Sequence, residues 1–190
     1  MRGAMVVHVS QAWVEPLADD PEALSALQVA RERLAAARSL RGLRRLRVLE
    51  LSGPLPGRSA LEKLLHGSIQ FYHPHKERCT VRSKGSDPAP VGAGRPVVLV
   101  KSRGGERRPA AERWWLSQTG EAIEVRQGVA WELEFEPGAE ALECARELAV
   151  LRDLRHGLLC NPYAQEARIA VDPIPLPWLE ETTQASGGQG

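Results

Sequence analysis

The chain has 190 residues, of which 43% are hydrophobic and 26% charged, and its formal net charge is +1. Those proportions are ordinary for a globular protein, and the near balance of charge argues against a nucleic-acid-binding domain, which usually carries a basic excess. Cys79, Cys144 and Cys160 have no paired spacing, so neither a disulfide framework nor a CxxC metal site follows. No apolar run approaches the roughly 20 residues that span a bilayer, and no charged-then-apolar leader opens the chain, so the expectation is a cytoplasmic protein without a membrane partner.

In chain order, Met5–Val9 is a β-branched run suited to a strand, continuing through Trp13 and Val14. Asp19-Asp20-Pro21-Glu22 supplies a helix start, with an acidic cap, a first-turn proline and negative charge at the positive end of the dipole. Leu24, Leu27, Ala30 and Leu34 then keep helical period over 21–37. Leu46–Leu51 alternates and reads as a strand ending at Gly53-Pro54, Ser59 caps a helix over 60–66, and Arg78–Arg82 is the next strand. Residues 83–96 hold many Gly and Pro and little apolar surface, which reads as a linker that does not order itself.

Beyond it, Val97–Val100 is a strand, and Pro109 opens a short helix closed by Gly120. Glu121–Glu136 alternates strongly, with Ile123, Val125, Val129, Trp131, Leu133 and Phe135 on one face, and Gln127-Gly128 suggests a bend or hairpin within it. Leu142, Ala145, Leu148, Leu151, Leu154 and Leu158 share one stripe, so the spacing predicts a long helix over 139–159, stopped by Asn161-Pro162. Ala167–Val171 is the last strand, and 173–190 reads as a flexible tail.

Strand, helix, strand, helix, strand therefore occurs twice, giving units at 1–82 and 97–172 joined by the 83–96 linker. The expected class is α+β, with two tandem ferredoxin-like units, each an antiparallel sheet bearing helices on one face. Helices cover only one side of a sheet, so the two sheets are expected to pack against each other as a monomeric pseudo-dimer.

The chemistry-bearing residues are few. His66, His73, His75 and Cys79 form a cluster that suits a metal on paper, with His73, His75 and Cys79 sharing a parity, but His73-Pro74-His75 reads as a turn and no second cluster supports it. The preferred reading is an exposed polar loop, with no metal or cofactor. No phosphate-loop motif occurs, and Gly104-Gly105 with Arg103, Arg107 and Arg108 is read as a plain turn rather than an anion loop. The basic stretch Arg38–Arg47 is read as a solvated helix end and strand face. Of Trp114 and Trp115, about 100° apart on a helix, one is expected inside and the other outside.

The strip Glu124-Val-Arg-Gln-Gly-Val-Ala-Trp-Glu-Leu-Glu-Phe135, a helix, and then Leu158-Leu-Cys-Asn-Pro-Tyr-Ala-Gln-Glu166 resembles PurS, the small subunit of formylglycinamidine ribonucleotide (FGAM) synthase in purine biosynthesis. In that family a "VRxGK" turn precedes alternating acidic and apolar residues, and the second helix ends in "LLxNP". Arg126 and Gly128 sit where the turn motif would place them, with Val129 in place of the usual lysine and Trp131 in the alternating stretch that follows. Leu158, Leu159, Asn161, Pro162 and Glu166 match the second. The first half is a fainter match: Val6–Val9 and Asp20-Pro21 correspond to the family's first strand and helix start, but Ala23 replaces a glycine and Leu64-Leu65 is followed by no Asn-Pro. The resemblance implies a non-catalytic scaffold without cofactor. Its partners would be the ATP-dependent FGAM synthetase large subunit and the glutaminase subunit, which it would bridge so that ammonia passes between them. The alternative is a ferredoxin-like regulatory domain that binds a small effector between its halves, and RNA binding through a sheet face is disfavoured by the balanced charge.

Overall fold

The computed structural model describes residues 8–179. The first half runs β1 (His8–Pro16), α1 (Pro21–Arg33), a 3-10 turn (Ala35–Ala37), β2 (Leu40–Gly53), α2 (Arg58–His66) and β3 (Glu77–Arg82). The second runs β4 (Val97–Ser102), a two-residue β5 (Glu106–Arg107), α3 (Pro109–Thr119), β6 (Glu124–Phe135), α4 (Ala141–Ala149) and β7 (Gln165–Ala170). The class is α+β. The strands pair antiparallel in one seven-stranded sheet of order β3-β1-β2-β6-β4-β7, with β5 alongside β6. Outward from the centre, each half contributes its second, first and third long strands, so the order is a palindrome.

The expected face-to-face packing of two sheets is corrected here. The halves meet edge to edge, β2 against β6, in register from Leu40↔Phe135 to Ser52↔Glu124 with one bulge near Gly42. This union pairs the backbone donors and acceptors that two separate sheets would leave along their middle strands. The bulge also brings Leu40 onto the same face as Leu43, so β2 extends well before the alternating stretch at 46–51.

All four helices lie on one face, and they cross-pair between the halves. The α1 and α4 residues Ala23, Ala30, Ala145 and Leu148 pack with Leu40, Val98, Trp131 and Leu133, while Leu61 and Leu65 of α2 and Ala111 and Trp115 of α3 pack with Leu49, Leu51, Val81 and Val125. Each cluster thus draws on both halves, and neither half has a core of its own. Trp115 is fully buried, and Trp114 is half-buried with its ring 5.7 Å from Phe71.

The opposite face, with Trp13, Leu46, Val48, Leu99 and Ala130, is covered by two irregular segments. Both differ from expectation. From the 83–96 segment, Ala89 and Val91 pack onto this face, and Arg95 reaches Glu132 at 3.2 Å. Of the expected tail, Ile174, Trp178 and Leu179 are buried, with the Trp178 ring 6.3 Å from that of Trp13, whereas 180–190 lie outside the described residues. Each such side chain contributes about 1.5–3 kcal/mol, an upper figure because unfolded chains bury some surface too. Composition misled at 83–96 and 173–179 because a few apolar residues suffice when a waiting apolar surface lies beneath them.

Buried polar groups fasten the C-terminal strap. The Glu50 carboxylate, 1% exposed, accepts from the backbone N–H groups of Trp178 and Leu179 and from Gln11 Nε2. Arg82, also 1% exposed, donates to Gln11 Oε1 at 2.6 Å and to the Ile174 carbonyl at 2.9 Å. Lys101 Nζ donates to the Leu179 carbonyl at 3.0 Å.

Three other expectations change. β6 runs straight through Gln127-Gly128, with no bend or hairpin. The glycine is there for close approach, since a Cβ would stand 2.6 Å from Leu179 Cδ2 and 3.2 Å from the Val100 carbonyl oxygen. The first long helix stops at Arg33, where Leu34 turns extended. The long helix over 139–159 is only Ala141–Ala149, because the chain reverses at Val150. Met5–Val7 of the first predicted strand lie outside the described residues.

Candidate functional site

The reversal after α4 builds one wall of an open apolar groove. Val150 and Cys160 form a parallel bridge, Leu151 N–H donates to the Cys160 carbonyl at 2.9 Å, and Leu158 N–H donates to the Leu148 carbonyl at 2.9 Å. Between them a tight hairpin carries Leu154 at its tip, 86% exposed. Gly157 closes it in the left-handed region (φ 78°) directly beneath Val150. The Asp153 carboxylate accepts from Arg155 N–H at 2.7 Å and contacts His156 Nδ1 at 2.8 Å. The Arg155 amide first, then His156, hold this carboxyl below its usual value. Its stabilisation of the hairpin is therefore present above the ordinary carboxylate pKa and is lost as the pH falls through the lower folded value.

The chain then turns into β7. Asn161 Oδ1 accepts from Tyr163 N–H at 3.0 Å, and the Asn161 carbonyl accepts from Gln165 N–H at 2.8 Å. Arg103 Nε pins the Pro162 carbonyl at 2.9 Å. Tyr163 is left 93% exposed. Opposite, Asp20 caps α1 through Glu22 N–H, and Arg31 ties the helix end to the carbonyls of Leu40 and Arg41. The space between is a groove of about 650 Å³ whose walls include Val29, Leu34, Val150, Leu154, Leu158 and Tyr163. Of its charged residues, Arg152 pairs with Glu147 at 2.8 Å and Asp153 with His156. Arg33 is exposed and, among the described residues, is in no ion pair.

The residues singled out by the family-like motifs separate into two places. Leu158 and Pro162 line the groove, Leu159 packs on the core beneath it, and Asn161 makes the turn beside it. The others are elsewhere. Trp131 is in the core with the Arg45 guanidinium 5.9 Å from its ring centroid. Gly128 lies under Leu179, and Glu166 accepts from Lys101 at 2.7 Å, an ion pair that is the first cause of its lowered pKa. Arg126 bonds to Glu124 on the strap face of β6. Reading the motifs alone missed Arg33, Leu154 and Tyr163. Leu154 in particular kept helical period with the core leucines, and no local signal marked it as exposed.

A second, polar cleft of about 340 Å³ lies on the helix face between the two cross-paired helix layers, lined by Arg45, Arg47 and Glu77 from the first half and by Gln127 and Val129 from the second. Its charges are matched internally. Arg47 pairs with Glu77 at 3.1 Å, Arg45 with Asp20 at 3.3 Å and Glu22 at 2.9 Å, and Arg108 donates to Gln127 at 2.8 Å. The strand part of the basic stretch is thus not a free solvated face, because tertiary partners take up the guanidinium groups of Arg44, Arg45 and Arg47.

His66 bonds to the Tyr72 hydroxyl at 2.8 Å, and His73 and His75 rings are 5.9 Å apart. Among the described residues no group of three or more His, Cys, Asp or Glu is arranged to hold a metal ion. Burial pushes the nearby Cys79 thiol up to about 12. At pH 8 its thiolate fraction is then on the order of one in ten thousand, so iodoacetamide should label Cys79 at least about a hundredfold more slowly than an unfolded cysteine peptide. Mass-spectrometric time courses check this, and comparable rates would contradict it.

No helix of the described residues is long and apolar enough to cross a membrane. Compared with protein-family models, with the curated proteins and with the solved structures, the chain matches none of them.

Proposed function

We propose that this chain is a tandem PurS-like subunit of FGAM synthase, non-catalytic alone, which bridges the ATP-dependent synthetase and the glutaminase and helps ammonia pass between them. The observation that carries this reading is the palindromic sheet. Two strand-helix-strand-helix-strand units joined along their middle strands, with helices cross-paired, are what a fused dimer of small scaffold subunits would look like. The turn of the "LLxNP"-like strip, which supports the same reading, stands at an exposed apolar groove rather than in the core. Such a surface is typical of a protein-binding site.

The test is affinity purification of the tagged chain from its native extract with Mg-ADP and glutamine present. Co-recovery of an ATP-dependent synthetase and a glutaminase, and glutamine-dependent amidine formation that requires this chain when the three are recombined, is the expected result. Activity indifferent to the chain would sink the reading. A small-effector domain is the second reading, favoured by the polar cleft that both halves line and by the buried, unpaired Arg45 Nε there. Under it, a metabolite should raise the melting temperature through a stabilisation that grows as RT ln(1 + [L]/Kd).

A further inference from the structure

We infer that the groove between α1 and the 150–163 hairpin docks a partner segment whose apolar side chains are flanked by carboxylates; on the reading above, which this inference rests on for the partner's identity, that segment belongs to the synthetase. Leu154 and Tyr163 are the two most exposed large apolar residues among those described, and both border the groove. Exposed aromatic and aliphatic side chains beside a concave apolar floor are the usual anchors of an interface.

The charge on the rim selects the flanks. Arg33 lies in the groove wall and Arg155 on the hairpin beside it, both exposed and, among the described residues, in no ion pair. Of the neighbouring charges, Arg152, Asp153, Glu143 and Glu147 already have partners, and Glu140 shares the adjoining depression with the two arginines. A carboxylate arriving with the apolar segment therefore finds two uncommitted guanidinium groups.

Residues 1–7 and 180–190 do not fit as the occupant. Residues 180–190 offer no apolar side chain larger than alanine. Residues 1–7 precede His8, which pairs with Gly53 at the far end of β2, whereas the groove adjoins Leu40 through Arg31. Leu40 to Gly53 spans on the order of 40 Å at strand rise, and seven extended residues reach at most about 25 Å. A second copy is the competing occupant, and the mapped crosslink distinguishes it from a partner segment.

The test places the photocrosslinking residue p-benzoylphenylalanine at Tyr163 of the full chain in its native cells, maps the joined peptide, and repeats the experiment with Arg33→Glu/Arg155→Glu and with Arg38→Glu as control. The expected crosslink enters a synthetase segment with apolar residues bordered by Asp or Glu. It should fall at least about tenfold with the double reversal, corresponding to about 1.4 kcal/mol, and should not change with the control. The same crosslink into a different protein keeps the docking chemistry and overturns the synthetase reading. Co-purification of the synthetase with no crosslink, with a crosslink to a second copy or to a segment without carboxylates, or with no response to charge reversal overturns the docking site and leaves the subunit reading standing. Neither co-purification nor a crosslink overturns both.

Discussion

Replacing Glu50 by alanine should destabilise the protein by about 3–5 kcal/mol, because it leaves the Trp178 and Leu179 amides and Gln11 without the buried carboxylate that satisfies them. The same change should free the strap. Limited proteolysis, slow within 173–179 while Trp178 and Leu179 are buried, should become fast there before it cuts the sheet. Arg82→Met removes the other clamp, the bonds to Gln11 and to the Ile174 carbonyl, and should cost a similar amount. Since either change alone releases one strap, the double variant should fall short of additivity by about 1–2 kcal/mol. Urea denaturation of the four proteins measures this. Full additivity, or a Glu50→Ala cost below about 1 kcal/mol, would show that the strap is not held as described.

Gly157→Ala is the second change with a large expected effect. An alanine Cβ there would stand 1.7 Å from the Val150 carbonyl oxygen and 2.7 Å from the Leu151 nitrogen, at a backbone φ of 78°. The left-handed conformation alone costs roughly 1–2 kcal/mol, and the clash with rigid backbone adds enough to pull the hairpin off α4, for a total of about 3 kcal/mol or more. Gly138 is the internal control, having φ 85° but open space around its Cβ position. Gly138→Ala should cost only the conformational part, roughly 1–2 kcal/mol. Chemical denaturation gives the two costs. Amide exchange at Leu158 and Leu159, both bonded to the Leu148 carbonyl, reports whether the hairpin has opened. Equal costs for the two glycines would mean that close approach at Val150 is not what fixes this position. Because the hairpin is one wall of the groove, Gly157→Ala should also abolish the Tyr163 crosslink.

The two changes act on opposite faces of the sheet. Behind the sheet, Glu50, Arg82 and Lys101 bind irregular segments into the body; on the helix face, Gly157 and Asp153 fold a hairpin outward and leave Leu154 exposed. The first arrangement needs buried charges with every acceptor and donor matched, and the second needs a local turn that holds its shape without burial. The apolar groove therefore lies at a margin of the fold whose hairpin wall is held by local hydrogen bonds.

Local sequence rules determined the elements wherever neighbours in the chain decide the conformation. Asp20-Pro21 starts α1, Gly120 at φ 74° ends α3, and the alternation from Val125 to Phe135 makes a strand with one face apolar. The order of the long elements in both halves was legible for the same reason. Tertiary structure alone decided how the halves join. An apolar strand face does not say whether it is closed by a second sheet, by helices or by a loop, and the unpaired edges of β2 and β6 make no mark in the sequence at all. It decided likewise that Leu154 leaves the leucine stripe it shares with Leu148, that Arg45 and Arg47 find carboxylates instead of water, and that Trp178 and Leu179 are buried. Periodicity records what a residue prefers over one or two turns of chain; the fate of these residues depends on groups distant in sequence, which the chain meets only once it is folded.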